Sequence, residues 1–299
     1  MIKSFPKIFH LGTDYIKDIL DGEVEVTEKI DGSQFGFGRI GGELFVRSKG
    51  AMLHFDAPNN MFKEAVEYIA SIADRIPDNT IFHAEYLQTP NHNSLQYERI
   101  PKNHLCLFSV SDNSEKYHGH DKIVEWASIL EIDAVPLIYK GTIENTDKIL
   151  ELVGSDSYLG GTKSEGVVVK NYSKQFLLGG QPIPVMAGKY VTEAFKEVHN
   201  NWKEKHTGKG RWEVFMDGYK TDARWLKAVQ FLRDSGELTE TPKDIGKLIA
   251  RVMQDIEEEE KETIKEFMWT EFGKELLRKS VHGLPEFYKL HLLKKLDNQ

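Results

Sequence analysis

Two runs of alternating polar and apolar residues flank the pentapeptide Lys29-Ile-Asp-Gly-Ser33, and this arrangement constrains the fold more than any other stretch. The first run is Glu23-Val-Glu-Val-Thr-Glu28, and the second is Gln34-Phe-Gly-Phe-Gly-Arg39. Alternation with a period of two predicts a strand on each side. Lys29 is therefore predicted to lie at a strand end or in a short loop between strands. Gly32 would permit a turn and leave room for a ligand to approach the main chain.

A lysine at a strand end is well placed to act as a nucleophile, but its usual protonation state opposes that role. A free lysine has a pKa near ~10.4, so at neutral pH only roughly one amine in a few thousand is uncharged. A nucleophilic lysine therefore needs nearby cations, a metal ion or desolvation to lower its pKa. If Lys29 is a nucleophile, we expect other basic side chains and metal-binding carboxylates elsewhere in the chain. Lys-x-Asp-Gly is short and common, and alone it favours an ordinary exposed strand end over a nucleophile.

The remaining patterns divide the chain into a mixed region and a helical region. Short or alternating apolar runs predict strands at 35–40, 43–48, 80–87, 105–110, 134–139, 165–170 and 181–191, with helices at 60–75, 121–131 and 146–153. Later residues show only helical spacing, at 192–202, 221–235, 243–279 and 285–296. We predict an α+β domain over 1–205, with antiparallel sheets and flanking helices, followed by a smaller all-α domain over 206–299.

Composition excludes several classes of protein. The single cysteine, Cys106, excludes an intramolecular disulfide and a cysteine-rich zinc module. No stretch approaches the ~20 apolar residues of a membrane span, and the first residues lack the apolar core of a signal peptide, so we expect a cytoplasmic protein. The net charge of −8 disfavours a general polyanion binder, so a phosphate-bearing partner would need a local basic patch.

Three further segments place charged residues on or beside predicted strands. Glu85 shares a strand face with His83 and Leu87, by the alternation of the strand 80–87. Glu165 and Lys170 bound the apolar run Gly-Val-Val-Val, which is typical of a strand buried on both faces. Lys189 follows a glycine that allows close backbone approach. Each segment alone is compatible with an exposed strand-end charge, and their combination is more specific.

In order and approximate spacing, these segments resemble the motifs of the covalent nucleotidyltransferase superfamily: Lys29-Ile-Asp-Gly, Glu85, Phe108, Glu165-Gly-x-x-x-Lys170 and Lys189. That superfamily contains the ATP-dependent DNA ligases, the RNA ligases and the mRNA capping guanylyltransferases. The segment Glu28-Lys-Ile-Asp-Gly-Ser33 is most similar to the corresponding motif of the RNA ligases of the phage and kinetoplastid-editing type, which seal nicks in duplex RNA. The resemblance covers residues 23 to 195 approximately, and implies a nucleotidyltransferase (adenylation) domain at 1–205.

The resemblance also implies cofactors and residue roles. ATP and Mg²⁺ or Mn²⁺ would be the cofactors, and Lys29 would attack the α-phosphate to become a lysyl-adenylate. Lys189 would lie on the α-phosphate, and Lys170 would join it and the metal in lowering the pKa of Lys29. Glu165 would hold the metal. The cofactor-binding residues so implied are Glu28, Asp31 (ribose, or orientation of the lysine), Gly32, Arg47 (ribose or phosphate), Glu85 (ribose hydroxyl), Phe108 (stacked on adenine) and Glu165.

Two positions depart from the family pattern. The first lysine of the usual Lys-x-Lys motif is replaced by Ala187, which leaves Lys189 alone unless Lys174 or Lys196 compensates. Ser109 follows Phe108 where the family usually has Asp, and an ordinary core aromatic is the alternative interpretation of Phe108.

The helical region favours an RNA ligase within the superfamily. DNA ligases and capping enzymes append a β-barrel domain, whereas some RNA ligases append helices. The stretch from Trp202 to Trp212 interleaves basic, aromatic and glycine residues and could grip a sugar-phosphate backbone, or form a solvated linker. Lys220, Arg224 and Lys227 have the spacing of a basic stripe on a helix, which is also typical of an ordinary exposed face.

The sequence therefore predicts an ATP-dependent RNA ligase that joins a 3′-hydroxyl to a 5′-phosphate. Its partners would be ATP and RNA ends or a nicked duplex, with no membrane, and we expect a monomer engaged in RNA repair. The alternatives are a DNA ligase, a capping-type guanylyltransferase, or a catalytically silent RNA-binding protein on the same fold, which Ala187 makes plausible.

Overall fold

The computed structural model describes residues 1–56, 60–145, 147–178, 180–192 and 211–296. In that part of the chain the strands are β1 Phe9–His10, β2 Glu23–Lys29, β3 Ser33–Ile40, β4 Glu43–Ser48, β5 Met52–Leu53, β6 Thr80–Tyr86, β7 Leu105–Asp112, β8 Asp133–Ala134, β9 Leu137–Thr142, β10 Gly166–Asn171, β11 Phe176–Leu178, β12 Gln181–Ile183 and β13 Met186–Val191. The helices are α1 Lys63–Ser71, α2 His120–Ile129, α3 Asp147–Leu152, α4 Arg211–Asp217, α5 Asp222–Asp234, α6 Ile245–Ser280 and α7 Leu284–Leu296. Among these helices, none has the length and apolar character needed to cross a membrane.

The first large sheet has the order β1-β13-β10-β2-β9, with β10 at its centre. Its pairs are antiparallel except for β1 with β13. One face carries Val24 and Val26 of β2 and Val167 and Val169 of β10, which pack into a core with Ile149 of α3 and Phe176 of β11. Because side chains alternate along a strand, the opposite face presents Lys29, Lys170 and Lys189 together.

The second large sheet has the order β5-β4-β3-β6-β7-β8. Phe35, Phe37 and Phe82 on one face form the main core with α1 and α2. The pairs Gly36↔His83 and Gln34↔Glu85 define the other face. The prediction of an α+β fold with flanking helices and a helical C-terminal region is confirmed, and the sheets are mainly antiparallel.

Several elements differ in detail from the sequence prediction. The predicted helix 60–75 divides into α1 between two 3₁₀ turns, and the strand 134–139 is interrupted before Leu137 near Pro136, which cannot donate to the ladder. Helix α4 was not predicted, and the predicted helix 192–202 lies almost wholly outside the described residues. The prediction of an exposed basic stripe on one helix face is wrong, because Arg224 is fully buried.

Contacts divide the chain into the compact units Met1–Leu248 and Ile249–Gln299. The first unit therefore includes α4 and α5, which the sequence assigned to the helical domain. The physical reason is that α5 bonds to the turn after Lys29, as described below. The predicted boundary at 205/206 falls in 193–210, outside the described residues, so it stays a prediction.

We predict that Gly166→Ala destabilises the first unit, because an added Cβ would collide with the backbone carbonyl of Tyr190 on β13. Overpacking of this kind costs about 1–3 kcal/mol of unfolding free energy, and a urea titration measures it. Gly246→Ala is the matched control, since nothing lies within 4 Å of its Cβ position and alanine favours a helix by about 1 kcal/mol. Equal unfolding midpoints for Gly166→Ala and wild type would contradict the packing described.

Candidate active site

An ion pair joins the ends of the two central strands of the first sheet. Lys29 is the last residue of β2, and it pairs in register with Gly166, the first residue of β10. Glu165 precedes that glycine, and its Oε2 lies 2.5 Å from the Lys29 Nζ. The Lys29 side chain is 24% exposed and that of Glu165 10%, so the pair is largely shielded from water yet reachable.

The carboxylates around Lys29 determine its charge. Burial by itself would lower the pKa of Lys29, but Glu165, Glu85 and Asp31 together raise the pKa above the usual value. The amine is therefore an ammonium in the ligand-free protein. The prediction that Lys170, Lys189 and a metal ion lower this pKa concerns the metal-bound protein and stays a prediction. Without the metal, the nearest charged group is the Glu165 carboxylate, which raises the pKa of Lys29.

Lys189 and Lys170 lie on the same sheet face as Lys29 but at different distances along it. Lys189 is opposite Val168 and interacts electrostatically with Glu165. Lys170 is four residues beyond Gly166, which places it roughly 13 Å along the strand from the Lys29 row. Its ammonium donates to the Phe108 carbonyl, and burial lowers the pKa of Lys170 to about 8.

Ala187 stands where the family pattern has its first Lys-x-Lys lysine. Ala187 is fully buried beside Phe5 and Val185, and it lies opposite Lys170 in the ladder. Lys170 belongs to the preceding motif of the family pattern, so it does not replace the missing lysine. Lys174 pairs with Asp21 at 3.5 Å, and Lys196 lies outside the described residues.

The second sheet contributes Glu85, whose carboxyl interacts electrostatically with Lys29 and Glu165. Burial raises the pKa of Glu85 to about 8, against the opposing effect of Lys29. The Glu85 carboxyl therefore holds its proton more tightly than an exposed glutamate does. A protonated carboxyl can donate a hydrogen bond as well as accept one.

A β-bulge sets the direction of Phe108. The pairing of β6 with β7 shifts between His83 and Ala84, which leaves Phe108 as the extra residue of β7. Its ring lies half-buried, edge-on to Phe5 with centroids 5.2 Å apart. A bulge commonly redirects a side chain in this way.

The N-terminal segment packs along this side of the second sheet, a role that the sequence did not predict. The Ile2 carbonyl accepts a hydrogen bond from Arg47 Nη1 at 3.0 Å, and the Lys3 carbonyl accepts one from His83 Nε2 at 3.0 Å. Arg47 also donates to the carbonyls of Ser48 and Lys49. The Arg47 guanidinium is thus held by main-chain acceptors in the ligand-free protein.

The turn after Lys29 is held from outside the motif. Asp31 Oδ2 accepts from the amides of Ser94 and Leu95 at 2.8 and 2.9 Å, and its own amide donates to the Tyr97 hydroxyl. The long polar loop 88–103 therefore has a defined function, which is to anchor this turn. The length of this loop is the one feature of its sequence that could have indicated such a role.

Gly32 is required for a reason other than the one predicted. A Cβ at Gly32 would lie 2.7 Å from both the Glu85 Cγ and the Tyr86 carbonyl. Strand β6 therefore occupies the space beside Gly32 that was predicted to admit a ligand. The Gly32 carbonyl accepts from Asn93 Nδ2 at 2.8 Å and from Gln230 of α5. Ser33 Oγ bonds to His92 and to Asp234.

Glu28 is the one predicted site residue that faces away from the others. It lies on the opposite face of β2 from Lys29, and its carboxylate accepts from Ser157 Oγ at 2.6 Å and from the Tyr158 amide at 3.1 Å. The structure therefore does not bring the Glu28 side chain to the site.

The donor set fits a magnesium-type ion held in part by substrate. No three His, Cys, Asp or Glu side chains of the described ranges form a metal-binding cluster. Mg²⁺ is commonly bound through one or two carboxylates plus water and substrate phosphates. Glu165, a largely buried carboxylate with an oxygen aimed at the Lys29 amine, can supply that protein ligand.

The family model for RNA ligases matches residues 22–191, which include the second sheet, the first sheet except β1, and the motifs from Lys29 to Lys189. The chain belongs to the RNA ligase family. No curated protein sequence matches it.

Solved structures of Naegleria gruberi RNA ligase are similar to this chain. An apo variant is 18% identical with a TM-score of 0.49, covering 64% of this chain and 56% of that one. The complex with PPi is 19% identical with a TM-score of 0.49, at 64% and 56% coverage. A variant with ATP and Mn is 18% identical with a TM-score of 0.48, at 64% and 57% coverage. The match spans little more than half the length of these ligases.

We predict that Glu165→Gln lowers the pKa of Lys29 in metal-free buffer, because the substitution removes the nearest negative charge. Acetylation of Lys29 by an amine-reactive ester, followed by peptide mass spectrometry across pH 6 to 10, measures the uncharged fraction. A fall of one pKa unit would raise the acetylation rate near pH 8 about ten-fold.

The exposed Lys148, which pairs with Glu151, is the internal control and should react equally in both proteins. Identical pH profiles for Lys29 in wild type and Glu165→Gln would contradict the electrostatic account.

Proposed function

We propose that the protein is an ATP-dependent RNA ligase that joins a 3′-hydroxyl to a 5′-phosphate through a lysyl-adenylate and an adenylated 5′ end. The observation that carries this proposal is the Lys29–Glu165 pair, 2.5 Å apart at the ends of neighbouring strands within the family's own matched region. The Naegleria ligase variant described with ATP and Mn supports ATP and a divalent metal as the cofactors.

Lys29 would be the nucleophile of the first transfer. The Lys29 ammonium first loses a proton to solvent. The free amine then forms a bond to the α-phosphorus of ATP, the bond from that phosphorus to pyrophosphate breaks, and the nitrogen releases a second proton to solvent. Lys189, on the same face, would offset charge on the phosphate oxygens. In the second transfer the 5′-phosphate of RNA takes the adenylate, and in the third the 3′-hydroxyl displaces AMP.

The protonation of Lys29 makes Glu165 central to this step. Glu165 would hold Mg²⁺ or Mn²⁺, and the bound ion would neutralise phosphate charge and offset the carboxylate charge that keeps the Lys29 amine protonated. Until that charge is offset, the amine remains an ammonium and cannot attack. The ion pair thus keeps the lysine unreactive in the absence of ligands.

The remaining site residues would orient the nucleotide. Glu85 would bond a ribose hydroxyl, as donor or acceptor according to its protonation, and Phe108 would stack on adenine. Arg47 would contact ribose or phosphate only by exchanging some of its main-chain acceptors. Lys170 would act at the far end of the same face, and Asp31 and Gly32 would act through the turn that they form.

RNA ends or a nicked duplex are the proposed nucleic-acid partners, and RNA repair is the proposed context. The monomeric state and the cytoplasmic location stay predictions. A DNA ligase or a guanylyltransferase is the alternative activity, and a silent RNA-binding protein is the alternative without catalysis. The retained Lys29, Glu85, Glu165 and Lys189 weaken the silent alternative.

We predict that Lys29→Ala abolishes transfer of label from α-labelled ATP to the protein, because the variant lacks the nucleophile. Lys148→Ala, at an exposed lysine of α3, is the matched control and should label like wild type. Gel autoradiography after denaturation measures the covalent adduct. Labelling of Lys29→Ala at the wild-type level would remove Lys29 from this role.

Substrate choice separates the alternatives. Labelled ATP and GTP, each followed by nicked RNA, nicked DNA and hybrid duplexes, should give adenylation and sealing of RNA. Labelling by GTP alone would favour a guanylyltransferase, and preferential sealing of nicked DNA would favour a DNA ligase. RNA binding with no adduct would favour the silent alternative.

A further inference from the structure

Helix α5 reaches the turn that follows Lys29 through two side chains. Gln230 Nε2 donates to the Gly32 carbonyl, and Asp234 Oδ1 accepts from Ser33 Oγ at 2.8 Å. Residues four apart lie on one helix face, so a single face of α5 makes both contacts. Phe231, between them, lies 3.6 Å from the position that a Cβ of Gly50 would take.

The hydrogen-bond directions make Asp234 the terminal acceptor. His92 Nδ1 accepts from the Gln88 amide at 3.2 Å, and burial lowers the pKa of His92 to about 4, so its proton is on Nε2. That Nε2 lies 2.9 Å from Ser33 Oγ and donates to it. The Ser33 proton is then directed to Asp234, and both side chains are buried. Without Asp234, the buried Ser33 hydroxyl loses its acceptor.

The turn connects this network to the nucleophile. Only Ile30 separates Lys29 from the anchored residues Asp31, Gly32 and Ser33, and β2 ends at Lys29. Movement of the turn therefore moves the amine. Transfer to phosphorus requires reacting atoms to be held near contact distance, and a displacement of about 1 Å can lower the rate by roughly 10²-fold.

We propose that Gln230 and Asp234 are positioning residues that fix Lys29 for the first nucleotidyl transfer, so that a helix beyond the family's matched region is needed for adenylation. This inference rests on the proposed function. Neither side chain would touch the nucleotide. The sealing of an RNA end that is already adenylated does not use the Lys29 amine as nucleophile or leaving group, so that step should be nearly independent of both residues.

The test compares the two steps in the full-length protein. Asp234→Ala and Gln230→Ala should slow single-turnover formation of the lysyl-adenylate by about ten-fold or more, with sealing of a pre-adenylated nicked RNA duplex close to the wild-type rate. Asp234→Asn keeps an oxygen that can accept from Ser33 and should restore most of the adenylation rate. Asp222→Asn, at an exposed aspartate of the same helix, is the matched control and should behave as wild type.

Urea unfolding of each variant is measured alongside the rates, to show whether the variant is folded. Adenylation at the wild-type rate in folded Asp234→Ala and Gln230→Ala would overturn the inference, as would an equal loss of adenylation and sealing, which indicates general structural support. If Asp234→Ala fails to fold, Gln230→Ala and Asp234→Asn decide the question. Failure of the wild-type protein to form any adduct would refute the proposed function instead, and is thereby distinguishable.

Discussion

The proposed chemistry depends on the contact between Lys29 and Glu165. It brings together the last residue of β2 and the residue before β10, so the central antiparallel pair of the first sheet fixes both partners. Burial brings each charge into a medium where it needs a counter-charge. The ion pair meets that need in the ligand-free protein, and at the same time keeps the amine in its unreactive form.

This arrangement reverses the simplest view of a nucleophilic lysine. The expectation was that cations around Lys29 lower its pKa, whereas Glu165, Glu85 and Asp31 raise it. Lys189 interacts with Glu165, and Lys170 lies about 13 Å along the strand, and neither is among the groups that set the pKa of Lys29. Activation would then depend on ligands, which is consistent with an enzyme that reacts only after its nucleotide and metal are bound.

The sequence predicted the strands of the motif region well, because alternation with a period of two is a local property. It predicted Lys29 at a strand end, and Lys189 and Glu165 on or beside strands. In the structure Lys29 ends β2, Lys189 lies in β13, and Glu165 directly precedes β10. Its failures concern long-range contacts. The bulge at Phe108 depends on how β6 pairs with β7, and the space beside Gly32 depends on the path of β6. Glu28 had a motif position in its favour, yet alternation along β2 directs it away from Lys29.

The contacts of α5 and the loop 88–103 show the same limit more strongly. Asp234 is about two hundred residues from its partner Ser33, and neither a helical period nor a polar loop composition reveals which backbone groups they will satisfy. The only available signals were an unusually long loop within a compact region and polar residues four apart on a helix. The first compact unit, which ends at Leu248, contains all of these contacts.

Peptide mapping after incubation with ATP and Mg²⁺ tests the central claim most directly. Tryptic digestion and mass spectrometry should find one AMP moiety on the peptide that contains Lys29, and its loss when a nicked RNA duplex is added. An adduct on another residue, or bound AMP that dissociates on denaturation, would contradict the assignment of Lys29 as the nucleophile.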